Sequence, residues 1–239
     1  MDKVDVLAFG AHPDDVELGA GGTIAKLIAE GKSVGMVDLT RGELGTRGTA
    51  EIRDNEARAA AEILGVSFRI NLEFRDGFFV NDEKHQLEIV KVLRKYRPEI
   101  CIVNAPHDRH PDHGEGSELL VKAAFLSGLR KVETVVDTII QEVWRPKALY
   151  HYIQFLNLEP DLIVDVSEHV ETKMNSIKAY KSQFFDRNSK EPATVISSKE
   201  FLDSVENRAM DMGRLIGKEY GEAFVVDRNI GVHSLFDLI

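Results

Sequence analysis

The 239-residue chain contains a single cysteine, Cys101, which lies inside an apolar segment. An intramolecular disulfide bond is therefore excluded, and such low cysteine usage is typical of a reducing compartment. No apolar run approaches the length of about 18 residues that a membrane span needs. The first residues also lack the basic and apolar regions of a signal peptide. We therefore expect a cytoplasmic protein that does not bind membranes.

The chain also lacks an excess of positive charge. Its formal net charge is −10, so no basic surface is expected that would bind nucleic acid in general. Hydrophobic residues make up 43% of the sequence and charged residues 29%. Both values are ordinary for a globular protein, and the length allows a sizeable core. Nucleic acid is therefore not expected as a partner.

A third absence concerns the loop after the first predicted strand. Dinucleotide-binding Rossmann domains carry Gly-x-Gly-x-x-Gly there, so that main-chain amides cradle a pyrophosphate. This chain has GAHPDD at residues 10–15, and the later glycines do not restore the pattern, because position 24 is Ile24. Two carboxylates at that place would repel phosphate. A dinucleotide-dependent oxidoreductase is therefore not favoured.

Strand and helix patterns alternate along the first half of the chain. Strands are predicted at 4–9, 33–39, 68–74 and 99–103, and helices at 22–30, 51–64, 83–96 and 115–126. This alternation predicts an α/β fold with a mostly parallel, doubly wound, Rossmann-like sheet and helices on both faces. With no internal repeat or linker, residues 1–239 are predicted to form one domain.

The last third of the chain is less regular and elaborates that domain. Ser167 is a possible N-cap for the first of two predicted helices. The predicted elements here are strands at 148–155 and 162–166, helices at 168–184 and 199–220, and a polar loop at 186–194.

Two clusters of histidine and aspartate follow the first and fourth predicted strands. The first contains His12, Asp14 and Asp15, and the second contains His110 and His113. In the common doubly wound order these two strands are neighbours, and their connections leave in opposite directions. Ligands bind in the crevice outside the carboxyl ends of such strands. The sequence therefore predicts one site that both clusters share.

The residue types in these clusters are those of a catalytic metal site. Such a zinc site takes three nitrogen and oxygen ligands from the protein and keeps one position open. His12 and Asp15 are three residues apart, so one turn of backbone can bring both to one cation, and His113 supplies the third ligand. Fe²⁺ or Co²⁺ also accepts this set. Zinc lowers the pKa of bound water to about 7, and Asp14 can then act as general base.

His110 and Asp112 lie two residues apart around Pro111. A histidine held by a carboxylate keeps one tautomer and is more easily protonated. We therefore expect His110 to stabilise a developing oxyanion or to protonate a leaving amine.

Simpler interpretations stay open. His-Pro-Asp is often only a turn, the acids of the first cluster can be a solvated first helical turn, and His110 can be an exposed loop residue. A non-catalytic metal-binding module would need neither Asp14 nor the pair of His110 and Asp112.

The chain resembles the LmbE/PIG-L family of zinc-dependent N-acetylglucosaminyl deacetylases. The matching motifs are AHPDD at residues 11–15, followed by Glu17, and HPDH at residues 110–113. The chain is more similar still to one branch, the N-acetylglucosaminyl-L-malate deacetylases of bacillithiol biosynthesis. The segments that carry this closer resemblance are 38–48, 52–57, 150–152 and 181–184.

The resemblance implies a Rossmann-like hydrolase that removes the acetyl group from N-acetylglucosaminyl-L-malate. Another N-acetylglucosamine conjugate or oligosaccharide is the alternative substrate. Relatives in this branch are often hexamers, so a homo-oligomer is implied as well. The implied residue roles are one zinc ion on His12, Asp15 and His113, Asp14 as general base, His110 with Asp112 as acid and oxyanion stabiliser, and Arg53 on the sugar.

An anionic substrate needs local positive charge in a protein of net charge −10. Arg41, Arg47, Arg53 and Arg109 all follow the second or fourth predicted strand, and the planar guanidinium suits carboxylates. We expect Arg109 to contact a malate carboxylate and Arg47 and His151 to complete the pocket. Structural ion pairs are the alternative role for these arginines.

Overall fold

The computed structural model describes residues 3–238, and a seven-stranded sheet forms its centre. The strands are β1 (Val6–Gly10), β2 (Val34–Thr40), β3 (Phe68–Phe74), β4 (Ile100–Val103), β7 (Ala148–Tyr152), β8 (Leu162–Asp165) and β9 (Gly221–Val225), with β5 (Val135–Val136) and β6 (Ile139–Ile140) in a separate hairpin. The helices are α1 (Asp15–Ala29), α2 (Ala50–Leu64), α3 (Glu83–Tyr96), α4 (Pro111–Ser127), α5 (Val170–Lys178) and α6 (Lys199–Leu215), with 3₁₀ turns at Val195–Ser197 and Leu235–Leu238.

The sheet has the order β3-β2-β1-β4-β7-β9-β8. Strands β1, β2, β3, β4 and β7 run parallel to one another, whereas β9 is antiparallel to both β7 and β8. Val6 of β1 lies opposite Val34 of β2 on one side and Ile100 of β4 on the other. The predicted mostly parallel α/β fold is confirmed, and the loops after β1 and β4 leave the sheet side by side.

The core lies on both faces of this sheet because successive strand residues point to opposite sides. Leu7 and Phe9 pack with the apolar residues of α3 and α4. Val6 and Ala8 pack on the other face with the apolar side of α1. In residues 3–238, no helix combines the length and the apolar character that crossing a bilayer requires.

Two helices begin several residues earlier than the sequence pattern predicts, and both carry predicted site residues. Helix α1 begins at Asp15 rather than at residue 22, and α4 begins at Pro111 rather than at residue 115. The glycines of α1 have low intrinsic helix propensity, which hid its first turns. A Cβ at Gly19 would overlap the ring of Tyr152, and one at Gly22 would press on Val166. These glycines therefore let α1 pack closely against the sheet.

The close approach of α1 to β7 makes Gly19 a test of the packing. We expect Gly19→Ala to destabilise the fold by about 1–3 kcal/mol, because overpacking forces a buried neighbour to move. Gly231→Ala is the control, since its Cβ would meet open space. Urea unfolding of both variants measures the effect. Equal free energies of unfolding for Gly19→Ala and wild type would contradict the packing described here.

The C-terminal third differs most from the predicted elements. Helix α5 begins after His169 rather than Ser167, whose hydroxyl bonds the carboxylate of Asp165 instead. Helix α6 ends at Leu215, and β9 follows as a strand that the sequence did not predict. Glu222 interrupts the apolar pattern of β9. Its charged side chain is nevertheless buried, because it accepts hydrogen bonds from main-chain N–H groups of helix α1.

Candidate metal centre and active site

The carboxyl ends of β1 and β4 open into a cavity of about 780 Å³. This volume is in the range of sites that bind small molecules. Both predicted clusters meet in its wall, together with Arg53 and Arg109; the cluster residues there are His12, Asp14, Asp15, His110 and His113. The structure thus brings together residues that lie about a hundred positions apart in the sequence.

The carboxylate of Asp15 lies between two imidazole rings. Its Oδ2 is 3.5 Å from Nδ1 of His12, and its Oδ1 is 3.2 Å from Nε2 of His113. Two atoms that each bind a tetrahedral zinc ion at about 2.1 Å lie roughly 3.4 Å apart. The donor types and these two spacings are therefore compatible with Asp15 sharing a metal ion with His12 and with His113.

The other nitrogen of each ring faces a carboxylate. Nδ1 of His113 lies 2.8 Å from Asp108, and Nε2 of His12 lies 3.0 Å from Asp76 and 3.4 Å from Asp112. In metal sites, carboxylates in such places fix the orientation of the ring and raise its basicity as a ligand. The arrangement is the one expected around two metal-binding histidines.

Two groups of described side chains have ligand atoms that all lie close enough together to hold a metal ion, and neither is the predicted set. One joins His12, His110 and His113, and the other joins His12, Asp76 and Asp112. The second group would use the Nε2 side of the His12 ring, where both carboxylates lie. Either group shares His12 with the predicted set but omits Asp15. Replacement of Asp15 therefore distinguishes these arrangements.

Asp14 occupies an unusual backbone position next to the predicted ligand Asp15. It precedes α1 with a φ of 115°, a conformation that a residue with a side chain rarely adopts. Such strain is concentrated at functional sites. Its carboxylate is buried and accepts a hydrogen bond of 2.8 Å from Nη2 of Arg53. Burial raises the pKa of Asp14 to about 7, although Arg53 offsets part of this rise.

The charges of His12, His113 and Asp15 depend on each other. Burial opposes a proton on His113, but Asp15 and Asp108 outweigh it and raise its pKa to about 9. Burial also disfavours the charged form of Asp15, but His113 and His12 hold its pKa well below the usual range. The carboxylates that favour protons on these rings also favour a metal cation between them.

The structure corrects the predicted pairing of His110 with the Asp112 side chain. His110 is the N-cap of α4, and its Nδ1 accepts a hydrogen bond from the main-chain N–H of Asp112 at 3.3 Å. The Asp112 carboxylate instead accepts from the main-chain N–H of Gly77 and lies near His12. Burial and the neighbouring His12 and His113 lower the pKa of His110. The cap places the proton of neutral His110 on Nε2.

Of the four predicted substrate residues, the structure places two on the cavity wall and two elsewhere. Arg53 and Arg109 line the cavity. Arg47 is buried beside it, where its guanidinium donates to the carbonyl of Gln183 and to Ser189. Arg47 therefore holds part of the loop predicted at 186–194. Arg41, the remaining arginine after the second strand, makes ion pairs with Asp54 and Glu51 outside the cavity.

His151 lies behind the site rather than in it. The side chain is 1% exposed on β7, and Nδ1 is within hydrogen-bond distance of Ser117 and of the Asn104 carbonyl. The Asn104 side chain accepts from the main chain of Ala11 and donates to Asp15. The prediction that His151 contacts substrate therefore does not match its position, which instead supports Asp15 through Asn104.

The sequence prediction missed four residues that hold the site. Asp76 follows β3 and Asn104 follows β4, so both lie at the same sheet edge as the two clusters. That placement was a usable signal, as was the position of Asp108 within the second cluster. Gln154 donates to Asp15 at 2.7 Å, but it lies after the irregular strand β7, where no sequence pattern marked it.

The chain is similar to known deacetylases. The model of the PIG-L family, described as GlcNAc-PI de-N-acetylase, matches residues 7–124. The chain is 32% identical over 193 residues to the diacetylchitobiose deacetylase of Thermococcus kodakarensis, covering 77% of this chain and 71% of that protein. It is 30% identical over 196 residues to a probable N-acetyl-alpha-D-glucosaminyl L-malate deacetylase 2 of Bacillus cereus, covering 74% and 83%.

The fold is also similar to that of solved structures. The conserved protein TT1542 from Thermus thermophilus superposes with a TM-score of 0.87 at 34% sequence identity. The match covers 97% of this chain and 98% of that one. The similarity therefore extends through β9 and the C-terminal third, beyond the segment that the family model matches.

Proposed function

Because the chain belongs to the PIG-L/LmbE family of deacetylases, we propose that it removes an acetyl group from an N-acetylglucosamine conjugate with the help of a bound metal ion. The metal ligands in this proposal are His12, Asp15 and His113. The observation that carries it is the Asp15 carboxylate, which lies between two imidazoles and beside the buried Asp14.

The protein side chains divide the chemistry of amide hydrolysis between them. A zinc ion in this site would supply Lewis-acid chemistry, since it lowers the pKa of water and polarises a carbonyl. Asp14 takes the proton from the attacking water, because it faces the cavity beside the ligands and has a pKa near 7. Arg53 keeps the Asp14 carboxylate in position through its hydrogen bond.

His110 acts as a hydrogen-bond donor in this proposal. Its Nδ1 is occupied by the helix N–H, so Nε2 carries the proton that a developing oxyanion can accept as a hydrogen bond. One such donor is typically worth about 3–4 kcal/mol of transition-state stabilisation. The same cap disfavours a second proton on His110. Asp14 therefore returns its proton to the leaving amine.

Among conjugates, N-acetylglucosaminyl-L-malate is the first candidate and diacetylchitobiose the second. Similar proteins carry both names, the chitobiose deacetylase at slightly higher identity. Acetate release from each compound by the metal-loaded protein tests the proposal. We expect release from at least the malate conjugate. Release from neither compound, nor from other N-acetylglucosamine conjugates, would contradict the proposed function.

The carboxylate behind His113 provides a more local test. We expect Asp108→Asn to weaken metal binding by about 10- to 100-fold, because a neutral amide at this position would orient the ring less strongly than a carboxylate does. Competition with a chelator measures this affinity. Asp82→Asn is a matched control, since the exposed Asp82 makes a similar contact of 2.7 Å with Nδ1 of His85, away from the cavity. Unchanged affinity in Asp108→Asn would remove Asp108 from this role.

A further inference from the structure

Four arginine and lysine side chains line the cavity, and they differ in whether a carboxylate neutralises them. Two of them form buried ion pairs, Arg53 with Asp14 at 2.8 Å and Lys173 with Glu222 at 2.5 Å. The other two, Arg109 and Arg208, form no ion pair with any residue that the structure describes. The cavity therefore has positive charge available at these two positions.

Arg208 projects from α6 and is only partly satisfied by the protein. Its Nη2 donates to the carbonyl of Phe155 at 2.5 Å, while Nη1 is buried and has no hydrogen-bond partner in residues 3–238. A buried donor without a partner is costly, and for a charged group the cost is larger. Burial lowers the pKa of Arg208, and Asp108 offsets only part of this effect. An acceptor from a bound molecule would satisfy this group.

Arg109 contacts the side chain of the same residue. Its guanidinium lies 4.8 Å from the centre of the Phe155 ring. The stacking leaves the polar edge of Arg109 available to a ligand, because a guanidinium that lies over a ring still presents its donors in the plane. Two arginines that lack carboxylate partners among the described residues therefore contact Phe155, Arg208 at its main-chain carbonyl and Arg109 at its ring.

This cationic subsite, formed by Arg109 and Arg208 around Phe155, adjoins the proposed metal centre. The main chain of Leu156 donates to Asp108, which also contacts His113. Gln154, next to Phe155 in the chain, donates to Asp15. In an N-acetylglucosamine conjugate, the group attached to C1 is adjacent to the acetamide on C2. A substrate with its amide at the metal centre would therefore place its aglycone near the subsite.

We propose that Arg208 is a specificity-determining residue that, with Arg109, binds a carboxylate on the aglycone of the substrate. This inference rests on the proposed function and deepens it, since it selects anionic conjugates over neutral ones. Bidentate hydrogen bonds between guanidinium and carboxylate provide the selectivity. A malate conjugate carries such a carboxylate, whereas a neutral oligosaccharide does not.

The test compares two substrates that differ only in the aglycone. These are N-acetylglucosaminyl-L-malate and the methyl glycoside of N-acetylglucosamine, which has no carboxylate. We expect wild type to prefer the malate conjugate in kcat/KM. Arg208→Gln should lower kcat/KM for that substrate by about 10- to 100-fold, mainly through KM, and leave the methyl glycoside nearly unaffected. Arg208→Lys should recover part of the loss.

Arg214→Gln serves as the matched control on the same helix, because Arg214 is exposed and pairs with Asp211. It should behave as wild type on both substrates. An equal loss on both substrates in Arg208→Gln would show that Arg208 only supports the Phe155 loop, and would overturn the inference. Wild type without a preference for the malate conjugate would overturn it as well.

A binding measurement separates this inference from the proposed function. If wild type releases acetate from neither substrate nor from any other N-acetylglucosamine conjugate, the proposed function fails, and calorimetric titration with free L-malate still tests the subsite. We expect wild type and Arg214→Gln to bind L-malate more tightly than Arg208→Gln does. Equal affinities in all three proteins, or no binding to wild type, would overturn the role of Arg208.

Discussion

Asp14→Asn is expected to lower kcat for deacetylation by about 10²- to 10⁴-fold while the protein keeps its metal ion. General-base catalysis typically contributes this range, and an amide cannot accept the proton of the attacking water. Asn keeps an oxygen that can accept from Arg53, whose Nη2 lies 2.8 Å from the present carboxylate. The loss should therefore appear in kcat rather than in KM, because the substitution changes a proton acceptor and not a binding contact.

Initial rates of acetate release give kcat and KM for this variant, and metal analysis of the same preparation gives its metal content. Asp186→Asn is a suitable control because Asp186 lies outside the cavity wall, in the loop predicted at 186–194. It should retain wild-type kcat. Wild-type kcat in Asp14→Asn would remove Asp14 from the role of base.

Asp15→Asn is expected to lose both bound metal and activity. Asp15 is the residue whose two carboxylate oxygens lie 3.5 Å and 3.2 Å from the ring nitrogens of His12 and His113. An amide is a much weaker ligand than a carboxylate, so metal affinity should fall by at least about 100-fold, more than for an outer carboxylate. Metal content after dialysis against a weak chelator measures this loss.

Comparing Asp76→Asn with Asp15→Asn tests on which side of the His12 ring the metal ion binds. Asp76 faces the Nε2 side of His12 and, with Asp112, forms the other group that could hold a metal ion there. With the metal on His12, Asp15 and His113, Asp76→Asn should weaken binding less than Asp15→Asn does. The opposite order of metal losses would place the ion on the Asp76 side of His12.

The sheet and its helices were largely predictable because the first four strands alternate with amphipathic helices. The bounds of β3 and α3 agree with the prediction at both ends. The start of α1 and the whole of β9 were not predictable from local pattern. Glycines that pack against Tyr152 weaken the helical signal of α1, and the buried charge of Glu222 interrupts the apolar signal of β9. Both the start of α1 and the strand β9 therefore depend on tertiary contacts, which the local sequence pattern does not show.

The site shows the same division between local and tertiary information. The approach of His12 and Asp15 to His113 followed from strand order alone, because parallel strands end at the same edge. The partners of individual atoms did not follow. The sequence spacing predicted a contact between His110 and the Asp112 carboxylate. In the structure, the main-chain N–H of Asp112 donates to Nδ1 of His110, and the Asp112 carboxylate lies near His12 instead.

Metal content and acetate release, measured together on the same preparations of wild type, Asp14→Asn and Asp15→Asn, test the proposed metal-assisted hydrolysis most directly. Wild type should contain metal and release acetate from N-acetylglucosaminyl-L-malate. Asp14→Asn should contain metal without turnover, and Asp15→Asn should have neither. Turnover by metal-free wild type, or wild-type turnover in either variant, would contradict the division of roles between Asp15 as ligand and Asp14 as base.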